Sequence, residues 1–495
     1  MKTHQAVPKQ SENNNTTQYN SQHSQTVTKR SFVMNATKIF RTGLATLLSI
    51  LFFVGLTFGQ VLKNKGVYRN TGTSTFSSVQ NYRSATAGTI LNSGSLSTTT
   101  TLDNDDGSVQ GTIRNYIGGV AAGTLTVGTD FTNEGGTFDN DSTDYVPVLN
   151  VGGAITNTGT FDTDAGKVVY NAAGAQNIFT TTYGALVAGG SGTKTFLAAV
   201  TVNDSARILD GVTLAISTFE IDLKGSANVL APTGTLSASS GTVDYSGDRD
   251  QSMFPGTYKT LTLTGSTGAH TKTSPGAVSF AASGALTVSA NDTFYVSSGN
   301  LDLSTNTPSL TNSEVIKVAG NATFHGGITD AGDFYYAGTS SQDIGSVSYA
   351  ELRLGGSGAK VLPSGTLSVT GNYIIDAGTG ARDYTTNTST FQFAGTGGSQ
   401  SISGLAETFH ILQFAGSSTK TLGGTAFGAA KLVVTGTSGV VTNNVTTVTL
   451  TNVSGVSLTI ASGAELVNSA SKTITMNGDL ELDGILTNAG TISVY

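Results

Sequence analysis

From residue 60 to the C-terminus, apolar and polar residues alternate in short runs that are separated by turn-forming pairs. Val212, Leu214 and Ile216 would share one face of a strand, as would Leu286 and Val288. The runs end at Ser-Gly, Asn-Gly or Asp-Gly, which are typical turn residues. No segment beyond residue 60 keeps the 3.6-residue period of an amphipathic helix. The pattern predicts an all-β chain of short strands with turns rich in Gly, Asn and Thr.

A longer unit recurs four times. It contains an aromatic strand, a turn with a glutamine, a second strand that begins with an aromatic residue, and a Gly-Ser turn followed by a lysine. Two of the second strands read YGALVAGGSGTKTF and YAELRLGGSGAKVL. The glutamines and lysines of the four units are Gln176 and Lys194, Gln251 and Lys272, Gln342 and Lys360, and Gln400 and Lys420.

The spacing of these units distinguishes between β architectures. Within a unit, Gln and Lys are 18, 21, 18 and 20 residues apart, whereas successive glutamines are 75, 91 and 58 apart. Tandem immunoglobulin-like modules would repeat at one nearly constant length. A parallel β-solenoid needs only whole numbers of coils, and about four, five and three coils of ~19 residues fit. We therefore predict a parallel β-helix (β-solenoid) over residues 60–495, and allow for an irregular part at residues 60–120.

This architecture predicts where the repeated residues lie. Gln and Lys of one unit are about one coil apart, so they should occupy neighbouring coils at one lateral position. We expect the lysine to face solvent, and Leu186, Leu352 and Leu354 to face the core. Stacked glutamines would form an amide ladder. On this interpretation the repeated motif is structural: it forms the coil and its turn.

Residues 1–59 differ from the rest and predict a leader with an export signal. Its core is residues 34–59, where Lys38 and Arg41 form a basic region that precedes the apolar, helical residues 44–56. A leader of this kind places the mature chain outside the cytoplasm.

The end of the leader predicts the cleavage point. Thr57-Phe58-Gly59 has the small-x-small pattern of a signal peptidase site, so Gln60 would become the mature N-terminus. The chain would then contact a membrane only through the leader before cleavage. A retained anchor is the alternative, because the apolar segment approaches the length that spans a bilayer. Met34 is an alternative start of translation.

Composition and net charge limit the classes of partner and of site that the chain can have. The chain has 63 Gly against 7 Pro, and its net charge is −7 with no Lys/Arg cluster beyond the leader. Without a basic face to neutralise phosphates, we expect no nucleic-acid partner. The absence of Cys excludes disulfides, thiolate metal sites and cysteine nucleophiles.

Acidic residues crowd three turns, where they are the candidates for a catalytic or metal site. They are Asp103, Asp105 and Asp106; Asp139, Asp141 and Asp144; and Asp248 and Asp250. Asp favours turns because it bonds the nearby backbone, and this interpretation competes with catalytic carboxylates on one solenoid face. Asp139, Asp141 and Asp144 could hold Ca²⁺ through oxygen ligands, although the glycine and final Glu of an EF-hand loop are absent. We expect no other cofactor.

Three histidines remain beyond the leader: His270, His325 and His410. Their wide spacing indicates surface or strand residues rather than a catalytic triad or a metal site. Glu407 and His410 are three residues apart in a strand, so their side chains should lie on opposite faces. These observations predict a protein that is not an enzyme.

Three short sequence motifs are similar to those of a known class of protein. DFTNEGGTF at residues 130–138, AITNTGTF at 154–161 and ILTNAGTI at 485–492 resemble the Asn-x-Gly-Thr coils of secreted β-solenoid surface proteins of Gram-negative bacteria, of the haemagglutinin-like and autotransporter-passenger type. The resemblance covers most of the chain after Gln60. It implies an adhesin, matrix component or stalk at the cell surface or outside the cell, with surface glycans, other surface proteins or further copies as partners. A carbohydrate-active β-helix enzyme of the pectate-lyase or polygalacturonase type is the alternative.

Overall fold

The computed structural model describes residues 60–81, 88–104, 111–117, 121–142, 145–225, 234–265, 267–328, 331–402, 407–435, 439–452 and 455–495. All of them belong to one unit of the chain, residues 52–495. The predicted leader up to residue 59, with its helical segment and cleavage site, lies outside the described residues.

The chain winds into coils that stack in parallel, and most coils contribute one short strand to each of three faces. The first coil shows the arrangement: Val61–Asn64, Val67–Asn70 and Thr73–Phe76 each pair in parallel with a strand of the next coil. The described residues form about 18 turns and contain no helix. The predicted all-β, parallel β-solenoid is therefore confirmed.

Three sheets run along the first five coils, and their strands follow regular register from residue 61 onward. The first sheet contains Val61–Asn64, Ser78–Asn81, Leu102–Asp103, Phe131–Asn133 and Ile155–Asn157. The second contains Val67–Asn70, Thr89–Asn92, Thr112–Arg114, Thr137–Asp139 and Thr160–Asp162. The third begins with Thr73–Phe76, Ser95–Thr98, Thr124–Val127, Val148–Val151 and Lys167–Tyr170.

In the middle coils several strands lengthen and join two faces. Thr235–Tyr245, for example, pairs with Val212–Ala215 through its first half and with Glu220–Leu223 through its second half. The strands of this part are Gln176–Ile178, Thr182–Ala188, Gly192–Phe196, Val200–Ile208, Val212–Ala215, Glu220–Leu223, Thr235–Tyr245, Gly256–Leu263, Val278–Val288, Leu301–Leu303, Ser309–Asn312 and Ala322–Phe324.

A 12-stranded sheet forms one face of the solenoid and extends to the last coil. Its strands are Gln251–Ser252, His270–Ser274, Asp292–Val296, Val315–Val318, Asp333–Tyr336, Glu351–Leu354, Tyr373–Ile375, Ser399–Ile402, Thr419–Leu422, Val440–Asn443, Glu465–Asn468 and Ile485–Asn488. A 10-stranded sheet contains Ser348–Tyr349, Thr366–Val369, Thr390–Phe393, Thr408–Phe414, Ala426–Val434, Thr447–Leu450, Val456–Ile460, Thr473–Met476, Asp479–Leu482 and Thr491–Val494. A third sheet contains Gln342–Asp343, Lys360–Val361 and Arg382–Asp383, and an antiparallel pair joins Tyr116–Ile117 to Ala121–Ala122.

A continuous core fills the solenoid from Phe76 to Met476. It arises because side chains alternate between the interior and solvent along the strands, so each inward residue stacks on the inward residues of neighbouring coils. The predicted core leucines Leu186, Leu352 and Leu354 all lie in it. Burying such a side chain contributes about 1.5–3 kcal/mol, and the repetition of this term along the stack holds the coils together.

Candidate functional site

Each predicted Gln–Lys pair occupies one lateral position on neighbouring coils. Gln176 lies opposite Lys194 in the parallel pairing, and Gln342 lies opposite Lys360. The other two pairs, Gln251–Lys272 and Gln400–Lys420, repeat the arrangement. The predicted placement of the pairs is confirmed.

The predicted orientation of the lysines is wrong, because all four side chains point into the solenoid. The exposed fraction is 0% for Lys194, Lys272 and Lys360, and 1% for Lys420. Alternation explains this orientation: Lys194 is two residues before the buried Phe196 in one strand, so both side chains point inward. The same period would have identified the buried lysines in the sequence.

Main-chain carbonyl groups of the turns hold the buried ammonium groups. Nζ of Lys194 donates to the carbonyl oxygens of Ala172 and Gly174, both at 2.8 Å, and of Ser191 at 3.1 Å. These carbonyls belong to partly buried turns, where the strand pairing ends, and that of Ala172 also accepts the N–H of Ser191 at 3.1 Å. Burial lowers the pKa of Lys194. The lysine therefore joins the turn of its own coil to the turn of the preceding coil.

The glutamine extends this connection to a third coil. Oε1 of Gln342 accepts the N–H of Gly338 at 2.7 Å, while Nε2 donates to the carbonyl oxygens of Val318, at 3.2 Å, and Gly320 in the preceding coil. Lys360 of the following coil donates to the Gly338 carbonyl at 3.1 Å. The glutamines thus bond main-chain groups, and the predicted glutamine ladder is wrong because successive glutamines are several coils apart.

Lys272 differs from Lys194 because a carboxylate faces it. Its Nζ lies 3.8 Å from Oδ1 of Asp292, and both side chains are fully buried. Nζ also donates to Oε1 of Gln251 at 2.7 Å, and Oδ2 of Asp292 accepts the N–H of Gly265 at 2.6 Å. Burial raises the pKa of Asp292 and lowers the pKa of Lys272. In this unit the buried carboxylate of Asp292 lies opposite the buried ammonium group of Lys272, so a buried group of opposite charge faces the lysine.

A buried tyrosine pair brackets each of the first three glutamines, six residues before and seven residues after it. The pairs are Tyr170 and Tyr183, Tyr245 and Tyr258, and Tyr336 and Tyr349. Tyr336 accepts the N–H of Gly345 at 3.0 Å, Tyr349 donates to the Gly345 carbonyl at 2.9 Å, and the two hydroxyl oxygens are 3.0 Å apart. In the fourth unit both counterparts are phenylalanine, Phe393 and Phe409. The hydroxyls of Tyr336 and Tyr349 thus each bond both the main chain of Gly345 and the other hydroxyl.

Asparagine ladders line the corners of the first and last coils, where Nδ2 of each residue donates to Oδ1 of the asparagine one coil further along. The ladders are Asn64, Asn81, Asn104, Asn133 and Asn157; Asn70, Asn92, Asn115 and Asn140; and Asn443, Asn468 and Asn488. All three run in the same direction, with the donor end toward the C-terminus. No regular sequence period marks the ladders, because their members are unevenly spaced: 17, 23, 29 and 24 residues in the first ladder.

The acidic candidates Asp248 and Asp250 bond the main chain of the next coil. Oδ1 of Asp248 accepts the N–H of Thr267 at 3.2 Å, and Oδ1 of Asp250 accepts the N–H of Thr271 at 2.7 Å. Asp103 lies in a strand between Gln80 and Thr132 of the neighbouring coils, while Asp105 and Asp106 lie outside the described residues.

Asp139 and Asp141, two of the three calcium candidates, lie at one turn, and Asp144 lies outside the described residues. Asp139 binds Nε of Arg114 at 3.0 Å, and Asp162 stacks on it from the next coil. Burial and the neighbouring carboxylates raise the pKa of Asp162. No group of three or more His, Cys, Asp or Glu side chains within the described ranges is arranged to hold a metal ion. Calcium binding stays a prediction.

The three histidines lie in separate coils. Nε2 of His270 is 2.5 Å from the carbonyl oxygen of Thr267, and Nε2 of His325 is 2.9 Å from that of Pro308. The predicted opposition of Glu407 and His410 is confirmed, because Glu407 is buried while His410 lies at an outward position of the strand.

An outward column of aromatic and charged side chains crosses four coils of the 12-stranded sheet. Nζ of Lys317 lies 4.5 Å and 5.1 Å from the ring centroids of Tyr295 and Tyr335, and Cζ of Arg353 lies 4.8 Å from the Tyr335 centroid. Arg353 and Tyr335 both bind Asp376, at 2.9 Å and 2.7 Å. Such cation–π contacts contribute about 0.5–1 kcal/mol each at exposed sites. The column joins amphipathic rings to charges at the surface.

A surface groove lies beside residues 234–239 and 254–257, and none of the residues that line it is ionisable. Within the described ranges there is no helix long and apolar enough to cross a membrane. No family model, curated protein or solved structure matches the chain.

Proposed function

We propose that the protein is an exported, non-catalytic structural or adhesive β-solenoid of the surface or extracellular matrix of a Gram-negative bacterium. The main support for the proposal is that ionisable side chains of the protein form hydrogen bonds between successive coils. The four repeat lysines, Asp248 and Asp250 are engaged in bonds between successive coils. Such groups strengthen the stack, which is the property that a stalk or matrix component needs.

A carbohydrate-active β-helix is the competing function. It would need carboxylates, or carboxylates with cations, that converge on one groove. The lining of the groove at residues 234–239 and 254–257 offers neither. The bonds of the candidate acids and the composition of this groove therefore favour a scaffold.

For the adhesive role we propose, as the binding site, the outward column of Tyr295, Lys317, Tyr335 and Arg353 with Asp376. Tyrosine rings present an apolar body and a polar tip, and binding sites combine such rings with a few oriented polar groups. We expect glycans to bind there, and Tyr295→Ala to weaken binding without unfolding the chain.

The export step is tested on cells that produce the protein. Antibodies against the solenoid should label intact cells or the medium, and intact-mass measurement should give a chain that begins at Gln60. A chain that stays in the cytoplasm and keeps residues 44–56 would contradict the proposal.

The absence of catalysis is tested separately with the purified chain. We expect binding to a subset of glycans on an array and no release of reducing ends from pectin, polygalacturonate or other polysaccharides. Release of reducing ends that is lost in Asp248→Asn/Asp250→Asn would instead establish the enzyme. Glu220→Gln is the matched control, because it neutralises an exposed acid on another coil.

A further inference from the structure

The repeat unit that contains Lys272 has a feature that the other three units lack, a buried carboxyl group on the coil that follows the lysine. Lys272 lies opposite Phe294 in the parallel pairing, and Asp292 is two residues before Phe294 in the same strand, so the side chains of all three residues point inward. The same position in the other units holds valine or glycine: Val212 beside Lys194, Gly380 beside Lys360, and Gly439 beside Lys420.

Hydrogen bonds hold the ammonium group of Lys272 in place. Its Nζ donates to the carbonyl oxygens of Gly247 and Arg249, the latter at 3.0 Å, and to Oε1 of Gln251 at 2.7 Å. Gln251 is itself fixed, because its Nε2 donates to two main-chain carbonyl oxygens of the preceding coil, at 2.8 Å and 2.9 Å. The position of Nζ therefore depends on three turns of the stack rather than on the lysine rotamer alone.

The carboxyl group of Asp292 is held through one of its two oxygens. Oδ2 accepts the N–H of Gly265 at 2.6 Å, whereas Oδ1 is buried and accepts no hydrogen bond from the described residues. Gly265 leaves room for this carboxyl group, because a Cβ atom there would lie 2.7 Å from Oδ1. Nζ of Lys272 is 3.8 Å from Oδ1, and both side chains are fully buried. The oxygen that lacks a donor is thus the one that faces the ammonium group.

We propose that Lys272 and Asp292 condense into an isopeptide bond, which joins two neighbouring coils covalently. Nζ forms a bond to Cγ of Asp292 with its lone pair, and the bond between Cγ and Oδ1 breaks, its electron pair leaving with the oxygen. Of the three ammonium protons, two leave with Oδ1 as one water molecule and the third remains as the amide N–H. Oδ2 becomes the carbonyl oxygen of the new amide. The reaction consumes no oxidant, reductant or cofactor.

Burial favours this reaction because it disfavours both charges. Burial raises the pKa of Asp292 and lowers the pKa of Lys272, which makes the transfer of one proton from the ammonium group to Oδ1 easier. The transfer gives the neutral amine that attacks and the neutral carboxyl group that is attacked. The amide product carries no charge, so the desolvation cost of the buried ion pair disappears when the bond forms.

The fold also keeps the two reacting groups together. Well-oriented groups within one molecule react as if the partner were present at about 10⁵–10⁸ M. The N–H of Gly265 stabilises the negative charge that develops on Oδ2 during the attack. Oε1 of Gln251, which already accepts from Nζ, remains as the acceptor for the amide N–H.

The bond would join the strands His270–Ser274 and Asp292–Val296, so that these two coils stay connected even when the chain unfolds. A covalent connection of this kind suits a stack that bears load. The inference concerns only the interior of the solenoid, and it does not depend on export or on adhesion.

Tryptic digestion of the full chain, purified folded and then denatured, tests for the bond by mass spectrometry. Trypsin cleaves after a lysine only when its ammonium group is free, and residues 273–316 contain no Lys or Arg. Without the bond, residues 260–272 and 273–317 appear as separate peptides. With it, we expect residues 260–317 as one peptide whose mass is lower than that of the sequence by one water molecule.

A chymotryptic digest separates this bond from other causes of the same observations. Chymotrypsin cleaves after Phe280, which lies between the two bonded residues, so we expect the resulting two peptides to stay joined through Lys272 and Asp292. A cyclic imide at Asp292 also loses one water molecule, but its two peptides would separate, which would contradict the proposal. A tryptic cleavage that was merely missed would leave the full mass.

Lys194 is the matched control within the same molecule. It is as fully buried as Lys272, but Val212 occupies the position of the carboxyl group. We therefore expect normal cleavage at Lys194, which gives residues 168–194 and 195–207 as separate peptides of unchanged mass.

Two variants assign the bond to these residues. Asp292→Val reproduces the arrangement beside Lys194, Lys272→Met removes the amine, and in both the two chymotryptic peptides should separate; circular dichroism checks that the variants are folded. Cleavage at Lys272 as complete as at Lys194 in the unaltered protein would contradict the proposal and leave an ion pair. Peptides that stay joined in Asp292→Val would equally overturn it. The digests give their answer wherever the protein is located, so the proposed function holds or fails independently.

Discussion

Replacing Lys194 by methionine isolates the contribution of a buried ammonium group. The change keeps most of the apolar stem and removes the donor of three hydrogen bonds, to the carbonyls of Ala172, Gly174 and Ser191. The Ala172 carbonyl keeps the N–H of Ser191 as a donor, whereas a partly buried acceptor that loses its donor costs at most about 1–3 kcal/mol. Removal of the charge also ends its desolvation cost, which offsets part of the loss. We therefore expect the free energy of unfolding to fall by about 1–4 kcal/mol.

Urea denaturation of the chain from Gln60, followed by circular dichroism, measures this loss. Lys167→Met is the matched control, because Lys167 lies on the preceding coil at an outward, partly exposed position. Surface substitutions of this kind usually change stability by less than about 0.5 kcal/mol. If the two variants unfold within about 0.5 kcal/mol of each other, the lysines do not act as buried donors between the coils.

The same core supports three further predictions. Leu352→Ala should lower the free energy of unfolding by about 2–5 kcal/mol, because it opens a cavity in a continuous column; a loss below about 0.5 kcal/mol in urea denaturation would place Leu352 outside the core. Tyr336→Phe and Tyr349→Phe should each cost about 1–3 kcal/mol, and the double variant should cost less than their sum; additivity in a double-mutant cycle would contradict the shared hydrogen bonds. Burial lowers the pKa of Lys420 to about 8, below the value of about 10.4 in an unfolded chain. The unfolded chain then binds more protons in this window, so stability should rise from about pH 8 toward about pH 10. A slope that persists unchanged in Lys420→Met would refute this assignment.

The architecture could be predicted from the sequence because strand periodicity and coil length determine where each residue lies along the backbone. Alternation of period two predicts strands, and a one-coil separation of Gln176 and Lys194 predicts their neighbouring positions. Both need only the apolar or polar class of each residue and its position along the chain.

The predicted orientation of the lysines was wrong because lysine is rarely buried in most proteins, whereas here the alternation of the strand turns it inward. Lys194 and Phe196 share a face by period two, but the carbonyl groups that satisfy the ammonium belong to turns of two coils. Their convergence depends on how the turns stack, which the sequence pattern does not contain. The uneven coil lengths likewise concealed the ladder that begins at Asn64.

The arrangement of the tyrosine pairs could be predicted from the sequence only in part. Their spacing around each glutamine is constant in three units and visible in the sequence, whereas the shared partner of Tyr336 and Tyr349 is the main chain of Gly345. Only the folded turn brings the N–H and the carbonyl of Gly345 to the two hydroxyls. In the fourth unit phenylalanine stands in place of both tyrosines. This joint replacement is the sequence evidence that the two hydroxyls depend on each other.

The proposed function depends on one continuous stack of parallel coils. Small-angle X-ray scattering on the monomeric chain from Gln60 tests it directly. About 18 turns at ~4.8 Å per coil predict a maximum dimension of about 90 Å. A compact domain of this length would have a radius of gyration of about 22 Å and a maximum dimension of about 60 Å, and that result would contradict the account.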